Sequence, residues 1–553
     1  MAARFPLVLA AMALTALGLA ACQSKTAKRA ACPTGELCLE YGNGADPISL
    51  DPQRITATNE AAIMRELIEG LYADGPDGEP VLGVADKAET SADGLTWTFH
   101  LRPEVWSDGV PVTAQDFVFA YRRILDPKTA SSYAYLDYLL KNGAAVNAGK
   151  APLDAVGAKA LDDHTLQLTL EHPAPFLPQL LKHQAFFPVP EHVVERYGDA
   201  WSQPGHFVGN GAYKLVDWKL GDYIRVVKND RFRDAANVCF DQVNFYPTTD
   251  VTSAERRTLR NELDISNGIQ SSRVRFLRQS KTSARYVHSH SYLDTFYMIF
   301  NIRDVPALKD VRVRQALSMA IDRSFVTDKL LGAGQVPTTS FVPSQIANYV
   351  PASQQPRPYW GQWPLAKRQA EAKSLLALAG FGPGKPLTVQ LKSADAYGAI
   401  LLVQSIQSDW QSIGVDAQLS QEEGNITLQS FEIRDFQTGI VAWIMDFDDP
   451  MTFLTLMKSD TGAQNYGDYK NPAYDALLNK ADNEPDGAKR ALYLAQAEQM
   501  ILDDADVAPL YNGVNLNLVN PHITGWVDNA SDIHPIRYLC RDDAGRRAPL
   551  PHP

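Results

Sequence analysis

The chain has 553 residues, 45% of them hydrophobic and 21% charged, a globular composition that excludes fibrous and disordered classes. Its formal net charge is −12 with no sustained Lys/Arg run, which argues against nucleic acid as a partner. The length suits roughly two to four domains.

In chain order, residues 1–21 read as a signal peptide. Arg4 is a sparse basic start, and an apolar run from Phe5 to about Leu19 is too short and too N-terminal for a stable membrane span. The run ends in Leu19-Ala20-Ala21-Cys22, a lipobox-like pattern in which the Cys22 thiol takes a lipid; the alternative is a plain secretory signal cleaved after an alanine. Residues 22–36 are small and polar and read as a tether. Removing Cys22 leaves Cys32, Cys38, Cys239 and Cys540. Four cysteines in an exported chain suggest two disulfides, with three connectivities open, or else free buried thiols.

The stretch LCLEYGN alternates as a first strand, and NEAAIMRELIEGLY has Ile63, Leu67 and Leu71 at helical spacing, with Gly70 and Gly75 marking its end. From about Ala85 the pattern turns β-rich. Leu95, Trp97, Phe99 and Leu101 share one strand face, Ser107-Asp108-Gly109 is turn chemistry, and Thr113 caps a helix whose first turn holds Asp116. A second alternating strand, Leu166, Leu168 and Leu170, follows a turn at Asp162-Asp163. A Pro-rich stretch near residue 190 marks a boundary. Beyond it, GNGAYKLVDWKLGDYIRVVKND reads as a hairpin and VCFDQVNFYP as a further strand. From about residue 294 helices and strands alternate in a βαβ manner: helix over Val313, Ala316, Leu317, Ala320 and Ile321, a helix ended by Gly380, strand LTVQLK, helix AILLVQSIQSDWQSIG, strand VDAQLS.

Catalytic constellations are scarce. There is no G-x-S-x-G elbow and no HExxH. GFGPGKP has Ala379 where a phosphate loop needs glycine, and it follows a helix rather than a strand; it reads as a helix stop. His288 and His290 share one strand face, but without a third ligand nearby in sequence they read as an exposed polar face. DFDDP lacks the glycine and distal glutamate of a calcium loop. No cofactor and no metal is expected.

One segment raises a chemical question. AWIMDFDDPMTFL opens as a buried strand at Ala442, Trp443 and Ile444, then places Asp446, Asp448 and Asp449 within four positions. Buried carboxylates are costly unless paired, so some cation must meet them. Asp448 and Asp449, next to Pro450, read as a turn or helix cap.

Together, DPISLDPQRI, WTFHLRPEVWSDGVPVTAQDFVFAYRRILDPKTAS, VGAKALDDHTLQLTL, GNGAYKLVDWK, IFNIRDVPALKDVRVRQALSMAIDR and AWIMDFDDPMTFLTLMKSD resemble the periplasmic oligopeptide-binding proteins, the solute-binding components of peptide ABC importers (extracellular solute-binding protein family 5). The resemblance runs from about Leu37 to Leu539. It implies an α/β, two-lobe periplasmic-binding-protein fold of type II in its large, cluster C form, with an extra β-rich domain. Lobe I would comprise 37–68, 190–293 and 515–545, the extra domain 69–189, and lobe II 294–514, with hinge crossings near 293 and 515.

The resemblance also implies a function. The chain would be a monomeric, lipid-anchored receptor in the periplasm that captures oligopeptides and hands them to an inner-membrane ABC permease and ATPase, without enzymatic activity. Alternatives are the same fold holding a sugar, haem or metal chelate, or an envelope peptidase or sensor. Asp446 matches the family acid that pairs with the peptide α-ammonium, and Ala442 and Trp443 lie on the groove wall. The loop RITAT, with Thr56, Ala57 and Thr58, matches the segment that pairs with the ligand backbone, and Tyr297 matches a groove position. Departures are expected at Thr56, in place of a family acid, and at Gly424, in place of an aromatic wall. At Ile440 and Phe431 the family has arginines that meet peptide carboxylates; Arg434 lies nearby in another register. Asp294 and Ile444 take the place of a cystine.

Overall fold

The computed structural model describes residues 32–395 and 397–543; the signal segment, Cys22 and the tether up to residue 31 lie outside them. Three sheets organise the described chain. The first has seven strands in the order Val287–Ser291, Val514–Val519, Ile265–Asn267, Cys38–Gly42, Gln242–Tyr246, Tyr223–Lys228, Tyr213–Lys219. Its centre is parallel, with Leu39 opposite Val243, and its far edge is the hairpin read from the sequence. Leu39, Val243, Phe245 and Ile265 are buried there with Met64 and Leu67 of the helix Thr58–Leu67.

That helix stops earlier than its periodicity suggests. Ile68 is extended (φ −134°, ψ 141°), and Glu69 is turned into a cluster with Arg233 and Arg537. Satisfying a buried carboxylate outweighs one more helical turn.

The second sheet has six strands, Val336–Pro337, Val507–Asn512, Asp294–Phe300, Thr438–Ile444, Leu387–Ala394, Val415–Glu422. Leu387–Ala394 and Val415–Glu422 are parallel, which requires a crossover element. The helix Tyr397–Ser412 supplies it, burying Leu402, Val403, Ile406 and Trp410. Full burial of each such side chain contributes about 1.5–3 kcal/mol. Residues 379–386 connect the helix Leu365–Leu378 to a strand, and Gly380 takes the left-handed turn (φ +87°).

The third sheet, four antiparallel strands Ala85–Thr90, Thr96–Leu101, Thr165–Thr169 and Ala158–Asp162, packs on the helix Ala114–Leu125. The Thr113 amide donates to the Asp116 carboxylate at 2.8 Å at the start of that helix.

The chain passes between the first two sheets twice. Val287–Ser291 runs through Tyr292 and Leu293 into Asp294–Phe300, and Val507–Asn512 runs through Gly513 into Val514–Val519. The crossings are tied together: the Tyr292 amide donates to the Gly513 carbonyl at 3.3 Å, and the Gly513 amide donates to the Asp294 carboxylate. A Cβ at Gly513 would collide with that buried carboxylate, which favours glycine at the crossing. Asp294 and Ile444 face each other across neighbouring strands, but Asp294 turns to the crossing instead, and burial lifts its pKa to about 7. Cys32 pairs with Cys38, and Cys239 with Cys540, settling the connectivity the sequence left open. Among the described residues no helix is long and apolar enough to cross a membrane.

Candidate functional site

The strand Thr438–Ile444 leads into the acidic segment, which meets residues 133–183 around the third sheet as well as the helix Gly487–Asp503, and its three carboxylates are treated differently. Asp449 is fully buried and clamped by Arg490 through two bonds of 2.7 and 2.8 Å. It also accepts from the Met451 amide at 3.1 Å. The cap expected from sequence is present, but the dominant partner is a guanidinium 41 residues downstream, a correction no local pattern signals. Asp448 accepts from the Ala347 amide at 2.8 Å; burial raises its pKa to about 6.

Asp446 has neither arrangement. It is half-buried, and no Lys, Arg or His pairs with its side chain among the described residues. Its one hydrogen-bond donor is the Tyr135 hydroxyl at 3.0 Å, 311 residues away in sequence. Burial pushes its pKa up to about 7, and the Tyr135 bond offsets only part of that. A carboxylate in this setting takes a proton or a cation from outside.

The surroundings are aromatic. The Tyr133 ring lies 6.1 Å from that of Tyr135 and stands edge-on to His183 at 4.8 Å. Burial, with Arg65 nearby, drops the His183 pKa to about 3, so the ring stays neutral. Arg65, on the helix Thr58–Leu67, is paired with Asp74 at 2.9 Å. Phe447 stacks on Phe176 at 5.1 Å. Tyr133, Tyr135, His183 and Phe176 all come from the stretch around the third sheet. The sequence reading missed them, since spaced aromatics read equally well as core.

The other named residues are dispersed. Trp443 is half-buried three residues before Asp446, and its buried indole nitrogen has no hydrogen-bond partner among the described residues. Ala442 is half-buried opposite Phe296. Thr56, Ala57 and Thr58 are exposed. The amides of Thr56 and Ala57 donate to Glu60 at 3.0 and 3.1 Å, so at these two residues an incoming main chain would meet carbonyls. Tyr297 is a correction. It is fully buried, edge-on to Phe341 at 4.9 Å in an interior cluster, because its strand position faces the packed side of the sheet.

The departures have structural substance. Phe431 and Ile440 are buried apolar residues, and Arg434 pairs with Asp468 at 3.3 Å. None of the three offers a free cation to a ligand carboxylate. Gly424 opens the helix Gly424–Glu432. His288 and His290 also differ from expectation: the His290 side chain is only 10% exposed, covered by residues 526–534.

Residues 79–465 match the family described as bacterial extracellular solute-binding proteins, family 5. The chain belongs to that family, and its fold is the two-lobe α/β periplasmic-binding-protein fold. It is 37% identical over 494 residues to the periplasmic oligopeptide-binding protein OppA of Salmonella typhimurium, covering 88% of this chain and 89% of the relative. The structure of the Escherichia coli murein tripeptide binding protein MppA superposes with a TM-score of 0.82 at 34% identity, covering 92% of this chain and 99% of that one. Haemophilus influenzae OppA in complex with RPPGFSPFR gives a TM-score of 0.81 at 30% identity, with the same coverage.

Proposed function

We propose that this protein is a peptide receptor of the cell envelope that captures oligopeptides between its lobes and presents them to an ABC importer. The observation that carries this reading is Asp446, a half-buried carboxylate with a tyrosine donor and no cation among the described residues. A peptide brings an α-ammonium whatever its sequence, and a charge-assisted bond to it becomes strong as closure excludes water. The chemistry is binding, without covalent change.

The lobes are assigned as 37–68, 190–293 and 515–545 for lobe I, 69–189 for the extra domain and 294–514 for lobe II. They would close about the crossings at 292–293 and 513. Cys22 would carry a lipid that holds the monomeric receptor at the membrane.

Calorimetry with one peptide in two forms tests the central claim. A free N-terminus should bind at least about tenfold more tightly than its N-acetylated copy, about 1.4 kcal/mol. Equal affinities would overturn the role of Asp446. At the other end, Phe431 and Ile440 are apolar and Arg434 is engaged by Asp468. Peptides amidated at the C-terminus should therefore bind about as well as free acids, which favours ligands read from their amino end only.

A further inference from the structure

Away from the cleft, residues 526–534 fold over the strand Val287–Ser291 and bring together three metal-ligating groups. The His290 Nε2 lies 3.2 Å from the Asp532 Oδ1, and the His534 Nε2 lies 3.0 Å from the same oxygen. All three donor atoms fall within 4.8 Å of one another. A second observation points to a ligand. The His290 side chain is nine-tenths buried, yet neither ring nitrogen has a hydrogen-bond partner of good geometry among the described residues. Buried polar groups are rarely left so.

The spacing suits a metal. Zinc sits about 2.0–2.1 Å from imidazole nitrogen, and tetrahedral ligands at that radius stand about 3.3 Å apart. For His290 a carboxylate stands near the other ring nitrogen, as metal-bound histidines favour. The Asp528 carboxylate stands 3.6 Å from the His290 Nδ1. The Asn517 amide donates to Asp532 at 2.7 Å. The Trp526 ring stacks on His534 at 3.6 Å. Asp528 is 41% exposed, leaving a path from solvent.

We propose that His290, Asp532 and His534 form a site for a divalent transition-metal ion of the zinc class, with a fourth position open to water. Such an ion clamps the C-terminal segment onto the strand that leads into the crossing at 292–293, where the Leu293 amide already donates to the Ala530 carbonyl at 3.1 Å. Binding is balanced by proton release. A doubly protonated His534 loses its Nε2 proton to solvent and keeps the one on Nδ1, so the Asn529 amide nitrogen, a donor 3.4 Å from that Nδ1, must turn aside; His290 keeps its proton on Nδ1, facing Asp528. Two imidazoles and one carboxylate favour zinc, nickel or copper over magnesium or calcium.

The test uses the mature protein stripped with a chelator and titrated with zinc alone, read by a competing chromophoric chelator. One zinc ion per chain is expected, weakened at least about tenfold in His290→Gln and Asp532→Asn. His522→Ala should bind as wild type. It probes the exposed group of His522, Asp542 and Asp543, where Arg541 already holds Asp543 at 2.8 Å. Anomalous diffraction from zinc-soaked wild-type crystals covers any variant that fails to fold, and should place the ion between His290 and His534. No stoichiometric binding, binding unchanged in His290→Gln, or an ion only at His522 overturns the proposal.

Discussion

Asp449 and Asp446 stand three positions apart in one segment and live in opposite surroundings. Asp449 is sealed against the helix Gly487–Asp503 with Arg490 clamped across both its oxygens. Asp446 has the Tyr135 hydroxyl as the one donor to its side chain among the described residues. The same contrast recurs elsewhere: Glu69, as deeply buried as Asp449, is held by both Arg233 and Arg537. At Asp449 and Glu69 the chain supplies the countercharge itself. At Asp446 no such cation is found among the described residues, and the proposed function assigns it to the ligand. A buried ion pair is weak evidence for stability, but breaking one side of it is costly.

Severing the internal pair tests the first half of that contrast and carries the largest expected effect. Arg490→Met leaves Asp449 buried and unpaired, so unfolding by urea should show a loss of about 3–5 kcal/mol. Peptide affinity of the folded fraction should stay close to wild type. A smaller loss would mean that water reaches Asp449 and the contrast is overstated.

Asp446→Asn should do the reverse. Peptide affinity falls at least about tenfold, or about 1.4 kcal/mol, while the empty protein melts no lower than wild type at pH 8. The sign follows from its raised pKa of about 7. Above that pH the folded empty protein holds a carboxylate that burial disfavours, so ionisation costs stability, and the neutral amide removes the cost. A melting temperature well below wild type would make Asp446 a structural acid like Asp449.

The pH dependence of binding sharpens the comparison further. An ammonium needs the ionised carboxylate. Affinity should therefore be greatest between about pH 7 and 8, falling by up to about tenfold per unit below as Asp446 takes a proton and falling again above as the peptide α-ammonium, of ordinary pKa about 7.7–8.0, loses its own. His183 stays neutral down to about pH 3, so it does not titrate in this window. Calorimetry from pH 5.5 to 7.5, below the titration of the peptide's amino group, should show the slope in wild type and a flat line in Asp446→Asn.

What the sequence disclosed follows from how far each signal travels along the chain. Alternation of Trp97, Phe99 and Leu101 and the cap at Thr113 are local, and the strand Thr96–Leu101 and helix Ala114–Leu125 form where those patterns lie. Asp446 was legible because its motif is contiguous. Tyr135 was not: an exposed tyrosine 311 residues away carries no mark of its partner. Arg490 sits in an ordinary helical sequence, Gly487–Asp503, where an arginine reads as surface. Tyr297 was misplaced because both faces of the strand Asp294–Phe300 are covered, burying Met298 and Phe300 on one side and Tyr297 and Ile299 on the other. Alternation cannot then say which face meets a ligand. His290 was read as exposed because the segment that covers it lies at the far end of the chain.

The smallest effect belongs to Tyr135, and it discriminates most finely. Its hydroxyl is the one hydrogen-bond donor to the Asp446 side chain among the described residues, and that bond lowers the acid's pKa against the pull of burial. Tyr135→Phe keeps the ring and its packing near Tyr133 and removes only the donor. In the empty cleft water partly replaces the lost bond, so the cost at pH 8 should be modest, about threefold in affinity or about 0.7 kcal/mol. The telling change lies in the profile. With its donor gone, the carboxylate is harder to ionise, and the pH at which affinity begins to fall should move upward from about 7. A phenol that merely packs against the ligand would weaken binding equally at every pH. An unshifted midpoint in Tyr135→Phe would therefore sever Tyr135 from the ammonium-binding role and leave Asp446 tuned by burial alone.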